Sequence, residues 1–105
     1  DLGVDLYSTD NSGNSLMHQA VLVRNLELLK LLNNTEITPN NRNENGYTPL
    51  HFAAMKSQDL DILSYLVEQG ADKSITTEFD ESAYDLALEN EYLKENKEQL
   101  NFLKP

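Results

Sequence analysis

The chain has 105 residues, 39% hydrophobic and 25% charged, a composition that suits one small globular domain. The absence of cysteine removes disulfide scaffolds, thiol nucleophiles and thiolate metal sites, and two histidines with no tryptophan leave few parts for catalysis. Eight Lys+Arg against 18 Asp+Glu give a net charge of −10, a field that repels phosphate backbones, disfavours nucleic acid and speeds encounter with a basic partner. It is uneven: residues 1 to 57 hold six acids and four bases (net −2), and residues 58 to 105 hold twelve acids and four bases (net −8). No apolar stretch approaches the roughly 20 residues of a bilayer span. The start Asp1-Leu2-Gly3 has none of the basic and apolar regions of a signal peptide. The expectation is an intracellular place, cytoplasmic or nuclear, with no membrane insertion.

In chain order, Gly3-Val4-Asp5 opens a connector that reaches Gly13 ten residues on (13 − 3). Asp10-Asn11-Ser12-Gly13 carries turn chemistry, as does Asn43-Glu44-Asn45-Gly46. Both are poor strand sequences, so projecting turns with extended arms are expected rather than a sheet. Gly13-Asn14-Ser15-Leu16-Met17-His18-Gln19-Ala20 leads to a second apolar segment with Leu28, Leu29, Leu31 and Leu32, ended by Asn33-Asn34. Gly46-Tyr47-Thr48-Pro49-Leu50-His51-Phe52-Ala53 repeats the first block 33 residues on (51 − 18). Thr48 is a good N-cap and Pro49 suits the first helical position, while Ala53 and Ala54 admit a close neighbour. Ile62, Leu63, Leu66 and Val67 follow at helical spacing, and Gly70 is the left-handed stop. A third block, Asp80-Glu81-Ser82-Ala83-Tyr84-Asp85-Leu86-Ala87, follows 34 residues later (85 − 51) and leads to Leu100-Asn101-Phe102-Leu103.

Each unit therefore predicts two short antiparallel helices that bury their apolar sides only by stacking on the next unit. From His18, His51 and Asp85 to the last Leu of the unit is 14, 15 and 18 residues (32 − 18, 66 − 51, 103 − 85). The outer helix of the third unit is thus the element expected to deviate. Unit one is apolar along and beyond its first helix (Leu16, Val21, Leu22, Val23, Leu26), whereas unit three reads Leu86, Leu88, Glu89, Asn90, Glu91. A polar end is what a capping repeat needs, so the stack is expected to continue upstream and to close at its C-terminal end.

Gly46-Tyr47-Thr48-Pro49-Leu50-His51-Phe52-Ala53-Ala54, followed by Gly70-Ala71-Asp72, resembles the ankyrin repeat. The first unit resembles it with Ser15 and Leu16 in place of Thr and Pro, and the third, with Ser82 to Ala87, resembles a terminal repeat. The resemblance implies an all-α ankyrin repeat solenoid of about three stacked helix-turn-helix repeats with projecting turns. The expected organisation is one ankyrin repeat domain over 1–105, with 1–10 the tail of a preceding repeat, 10–42 repeat one, 43–76 repeat two and 77–105 a C-terminal capping repeat. Its structural signature residues are Ser15, His18, Gly46, Thr48, Pro49, Leu50, His51, Gly70 and Asp85.

Ser15/His18 and Thr48/His51 could be misread as nucleophile–base pairs, but no orienting group or oxyanion hole is indicated. A hydroxyl cap bonded to an imidazole one turn on is the better reading, with Ser82/Asp85 as its capping-box counterpart. His18, His51 and Asp85 do not make a metal set. Equivalent positions on stacked helices lie about 8–10 Å apart, and one zinc needs its ligands at about 2 Å. Glu78-Phe79-Asp80-Glu81 lacks the alternation of a calcium loop and reads as a solvated turn tip or part of a surface for a basic partner. The Asn33-Asn34-Thr35 sequon carries little weight without a secretory signal. No cofactor is implied.

The resemblance implies protein recognition through a concave groove. By that resemblance the groove positions are Gln19, Leu22 and Val23, then Phe52, Met55 and Lys56, then Leu86, Glu89 and Asn90. The turn residues Asn11, Asn14, Arg42, Glu44, Asn45, Tyr47, Phe79 and Glu81 flank them. Tyr47, Phe52 and Met55 are the best anchors, the alternative being that Phe52 and Met55 pack between repeats. The expected function is a non-catalytic adaptor, scaffold or regulatory segment that binds a protein or peptide partner carrying Lys/Arg. Alternatives are a regulatory appendage of a multidomain signalling enzyme and a self-association element.

Overall fold

The computed structural model describes residues 9–32, 39–57 and 60–104, without the side chains of residues 94, 96 and 97. Among these residues five α-helices follow in order: α1 Leu16–Leu22, α2 Leu26–Leu32, α3 Pro49–Lys56, α4 Asp61–Glu68 and α5 Ala83–Leu88, and a 3₁₀ helix, Lys94–Leu103, completes the third pair. The described residues contain no strand, in keeping with turns whose arms are extended but not paired into a sheet. The Gly3-Val4-Asp5 connector and the Asn33-Asn34 stop lie outside the described residues.

Why the helices stack follows from what each inner helix places against its neighbours. Helix α1 packs on α3 and α3 on α5, while α2, α4 and the 3₁₀ helix each pack on their own inner partner. The inner row is closed by Ala20, Ala53 and Ala87, all 0% exposed; without side chains beyond Cβ, these helices approach closely. The outer layer repeats a leucine pair three residues apart: Leu29/Leu32, Leu63/Leu66 and Leu100/Leu103, all buried. The extents of 44 × 27 × 21 Å express the one-dimensional stacking.

The third outer segment is a 3₁₀ rather than an α-helix, the deviation its long link anticipates. Its tighter winding is tolerated because residues three apart superpose on a 3₁₀ helix, so Leu100 and Leu103 still face inward together. The longer link is pinned by three contacts. Leu93 is buried, Asn90 Nδ2 donates to the carbonyls of Ala54 and Ser57, each at 2.9 Å, and Lys73 Nζ donates to Phe102 O at 2.8 Å. Two groove assignments are corrected here. Asn90 is 6% exposed and caps the C-terminal end of α3, and Leu86 is 7% exposed and packs in the core. Leu31, expected on the apolar side of α2, is instead 66% exposed, because Leu29 and Leu32 already fill the face turned to α1.

Helix ends behave as their residues dictate. At the end of α4, Gly70 has φ 99°; its N–H bonds Val67 O (3.1 Å) and Ala71 N–H bonds Leu66 O (3.0 Å), the paired closure of a Schellman motif. Helix α1 ends with the same pair of bonds, Arg24 N–H to Val21 O (2.9 Å) and Asn25 N–H to Ala20 O (3.0 Å). Here the left-handed residue is Arg24, at φ 55°. Asn25 then starts α2, its Oδ1 accepting from Leu28 N–H at 3.0 Å. An L side chain in the left-handed region costs about 1 kcal/mol. Arg24→Gly is therefore expected to stabilise the chain by about 0.5–1 kcal/mol, seen as a higher urea midpoint with an unchanged slope; a lower midpoint would show that the Arg24 side chain contributes contacts beyond its strain.

Candidate protein-interaction surface

Each unit starts from a turn of the same construction. Gly13 N–H bonds Asp10 O (3.0 Å), Gly46 N–H bonds Asn43 O (3.0 Å) and Asp80 N–H bonds Thr77 O (2.9 Å). The fourth residue has positive φ in all three: 80° at Gly13, 83° at Gly46 and 66° at Asp80. The first residue's side chain closes the turn. Asp10 Oδ1 accepts from the N–H of Ser12 and Asn14, Asn43 Oδ1 from those of Asn45 and Tyr47, and Thr77 Oγ1 from that of Phe79. These bonds hold the Asp10 carboxyl below the usual carboxylate range, Asn14 contributing most. Successive turns are tied tip to tip by Glu44 N–H to Ser12 O (3.0 Å) and Glu78 N–H to Asn45 O (3.2 Å). At Gly46 a Cβ would meet Arg42 Nη2 at 2.7 Å and Glu78 N at 2.9 Å, so glycine is required for contact as well as for φ.

Behind the turns, each inner helix carries a capping box. Ser15 N–H donates to His18 Nδ1 (3.0 Å), and Thr48 N–H to His51 Nδ1 (2.9 Å). Ser15 Oγ and Thr48 Oγ1 in turn accept from the backbone N–H groups of His18 and His51, each at 3.4 Å. With Nδ1 an acceptor, Nε2 carries the proton, and it donates onward to Tyr47 O (2.7 Å) from His18 and to Ile75 O (3.0 Å) from His51. Both nitrogens of each ring are thereby engaged by the protein, which leaves no free lone pair for a metal or a substrate. Burial depresses both imidazoles below their ordinary value, outweighing the acceptor carbonyls and, at His18, the opposing pull of Asp10; Arg42 and His18 add to the depression at His51. In the third unit Asp85 replaces histidine: Ser82 N–H donates to Asp85 Oδ2 (3.1 Å), and Ser82 Oγ accepts from Asp85 N–H (3.2 Å). The cap is kept, and the reach to a following unit is not. No group of three or more potential metal ligands occurs among the described residues.

The residues singled out for partner binding fall into two groups. Leu22 (42% exposed) and Val23 (67% exposed) lie at the end of α1, and Met55 and Lys56 occupy the equivalent end of α3 (22 + 33, 23 + 33). Glu89 continues the row past α5 (55 + 34). Of these, Lys56 and Glu89 are exposed, while Met55 is half-buried against the core. Gln19 is half-buried. The second group also serves the fold. The Phe52 ring lies edge-on to His18 (5.2 Å between centroids) and tilted against Tyr47 (5.7 Å), so both aromatics occupy the junction between α1 and α3. Arg42 Nη2 donates to Thr76 O (2.9 Å) and its Nε to Gly46 O (3.3 Å), joining the second turn to the connector before the third. Asn14, expected at a turn tip, is 7% exposed; its side chain bonds Asp10 and Asn43. Leu31 and Tyr92, exposed at 66% and 60%, carry no repeat-signature pattern that singles them out.

Stacked helix pairs with short inner helices and turns projecting to one side define an interaction solenoid. The family described as ankyrin repeats (3 copies) matches residues 2–77, and the chain belongs to the ankyrin repeat family. The tip of the third turn and α5 lie past that stretch and are recognisable by their geometry. Over 75 residues (71% of this chain and 48% of the relative) it is 40% identical to human protein phosphatase 1 regulatory subunit 27. Over 70 residues (67% of this chain and 45% of the relative) it is 41% identical to the mouse protein of that name. It is also 36% identical to the fowlpox virus ankyrin repeat protein FPV219 over 61 residues, 14% of that protein. The chain spans about half the length of the phosphatase regulatory subunits it matches. No helix among the described residues is long and apolar enough to cross a membrane.

Proposed function

We propose that the chain is a non-catalytic protein-binding module, with repeats at 10–42, 43–76 and 77–105, that recognises an intracellular partner carrying Lys/Arg. The observation that carries this reading is the row formed by Leu22, Val23, Met55 and Lys56, in which two large apolar side chains stay in solvent on a rigid inner-helix layer. Groups that could do chemistry are spent on caps and bridges, and a preformed surface lowers the ordering cost of binding. The acidic C-terminal half supports a basic partner through faster encounter and charge matching.

The discriminating change is Leu22→Ser with Val23→Ser, since Phe52 also packs between helices. Intact chain is used to capture partners, each is purified, and its affinity is measured by calorimetry. The double variant is expected to weaken binding by more than about 1 kcal/mol, roughly fivefold, with its helical circular dichroism intact. Undiminished affinity would remove the assigned surface. The similarity to protein phosphatase 1 regulatory subunit 27 favours a second, more specific reading, a regulatory subunit of a protein phosphatase. Titration with the phosphatase 1 catalytic subunit decides it, saturable binding supporting that reading and no heat of binding rejecting it.

A further inference from the structure

The three turns share one backbone and present three different sets of side chains. Position by position they read Asn11-Ser12-Gly13-Asn14, Glu44-Asn45-Gly46-Tyr47 and Glu78-Phe79-Asp80-Glu81. The first set is neutral and small, the last acidic, aromatic, acidic, acidic. Turn geometry does not demand that last set. Ser12 and Asn45 serve where Phe79 stands, and glycine serves where Asp80 accepts φ 66°. Phe79 is 61% exposed, on a tip whose N–H groups are already held by Thr77 and the preceding turn. The carboxylates of Glu78, Asp80 and Glu81 have no ion-pair partner among the described residues. The neighbouring cation, Arg42, is committed to the carbonyls of Thr76 and Gly46.

We propose that the Phe79 turn docks an arginine-bearing extended segment of a protein partner, an inference that rests on the protein-binding reading above. The arginine guanidinium lies on the exposed face of the Phe79 ring, and its N–H groups reach the carboxylates of Glu78 and Asp80. A planar, weakly hydrated cation with forked donors satisfies ring and carboxylates together. A lysine ammonium meets them only as a point charge. The occupant is extended because a tip with one aromatic offers a ring to a single side chain, not a groove to a helix. The uncompensated charge of the C-terminal half draws such a segment in, and the ring selects the residue that stays.

The test is fluorescence anisotropy of the intact chain titrated against a labelled Gly/Ser-spaced peptide carrying arginines, and against the same peptide with lysines. Phe79→Ser restores the residue of the first turn, and Asp80→Gly relieves the positive φ, so both are compatible with the fold. Glu68→Gln, an exposed acid on α4, reports the diffuse field. The arginine peptide is expected to bind several-fold tighter than the lysine peptide. Phe79→Ser should weaken it about fivefold or more, Asp80→Gly by a smaller factor, and Glu68→Gln by less than about twofold. Equal binding of the two peptides, or equal losses for Phe79→Ser and Glu68→Gln, would replace the docking site with non-specific attraction. If the arginine peptide fails to bind while Leu22→Ser/Val23→Ser still weakens a captured partner, this inference is overturned and the module reading stands. If both fail, both fall.

Discussion

His51→Ala is expected to lower the unfolding free energy by about 3 kcal/mol or more. The imidazole is 1% exposed and makes two kinds of bond at once. It caps α3 through Thr48 (2.9 Å from its N–H) and reaches the connector at Ile75 O (3.0 Å). Alanine leaves the Thr48 N–H and the Ile75 carbonyl unpartnered where water is scarce, and it opens a ring-sized void beside Tyr47, whose ring meets that of His51 at 5.9 Å. His51→Gln separates the two contributions: glutamine completes a capping box but places no ring nitrogen at Ile75, so its loss should be smaller, about 1–2 kcal/mol. Urea unfolding of the intact chain and both variants measures this. A cost below about 1 kcal/mol for His51→Ala would mean that the imidazole is not what couples the second unit to the third.

Acid is expected to unfold the chain early, beginning near pH 6.5. In the folded protein both imidazoles titrate below the ordinary 6.5, chiefly because burial disfavours the charged form. The unfolded chain therefore takes up protons first as pH falls. Well above 6.5 neither state is protonated at these sites and they contribute no pH dependence. Below 6.5 stability falls, by at most about 1.4 kcal/mol per pH unit for each histidine, until the folded values are passed. Geometry gives the same sign, since a proton on Nδ1 would face the Ser15 or Thr48 N–H that it now accepts. Asp10 and Asp72 sit below their ordinary 3.8, held by Asn14 and Ser74. Their contribution is present above 3.8 and is lost only at lower pH. Urea midpoints at pH 8, 6.5 and 5 should show a small loss by 6.5 and the larger part of it between 6.5 and 5, and His51→Gln should show about half of it. Flat midpoints over that range would contradict neutral, buried imidazoles.

Much of the architecture was legible because repetition is a sequence property. The blocks around His18, His51 and Asp85 recur 33 and 34 residues apart, and hydroxyl caps, Pro49 and Gly70 mark where helices start and stop. The 3₁₀ form of the last segment was visible only as an over-long link. Two of its fastenings, Asn90 to the end of α3 and Lys73 to Phe102, join residues 33 and 29 positions apart and leave no local trace. For the same reason Asn90 and Asn14 looked like surface residues. An asparagine in a turn and an asparagine capping a distant helix are identical as letters, and only the fold brings the unpaired carbonyls to one of them. Arg24 in the left-handed region was likewise hidden, because the residue expected there is glycine.

By itself, the order of residues determined the period, the caps, the acidic balance and the family, since each depends on contacts within a turn or two of chain, or on repetition along it. Only the packed structure decided which side chains remain available to a partner. Burial is a property of neighbours: Phe52 and Tyr47 are claimed by the junction of α1 with α3, whereas Leu22, Val23 and Phe79 are left in water because nothing among the described residues packs over them.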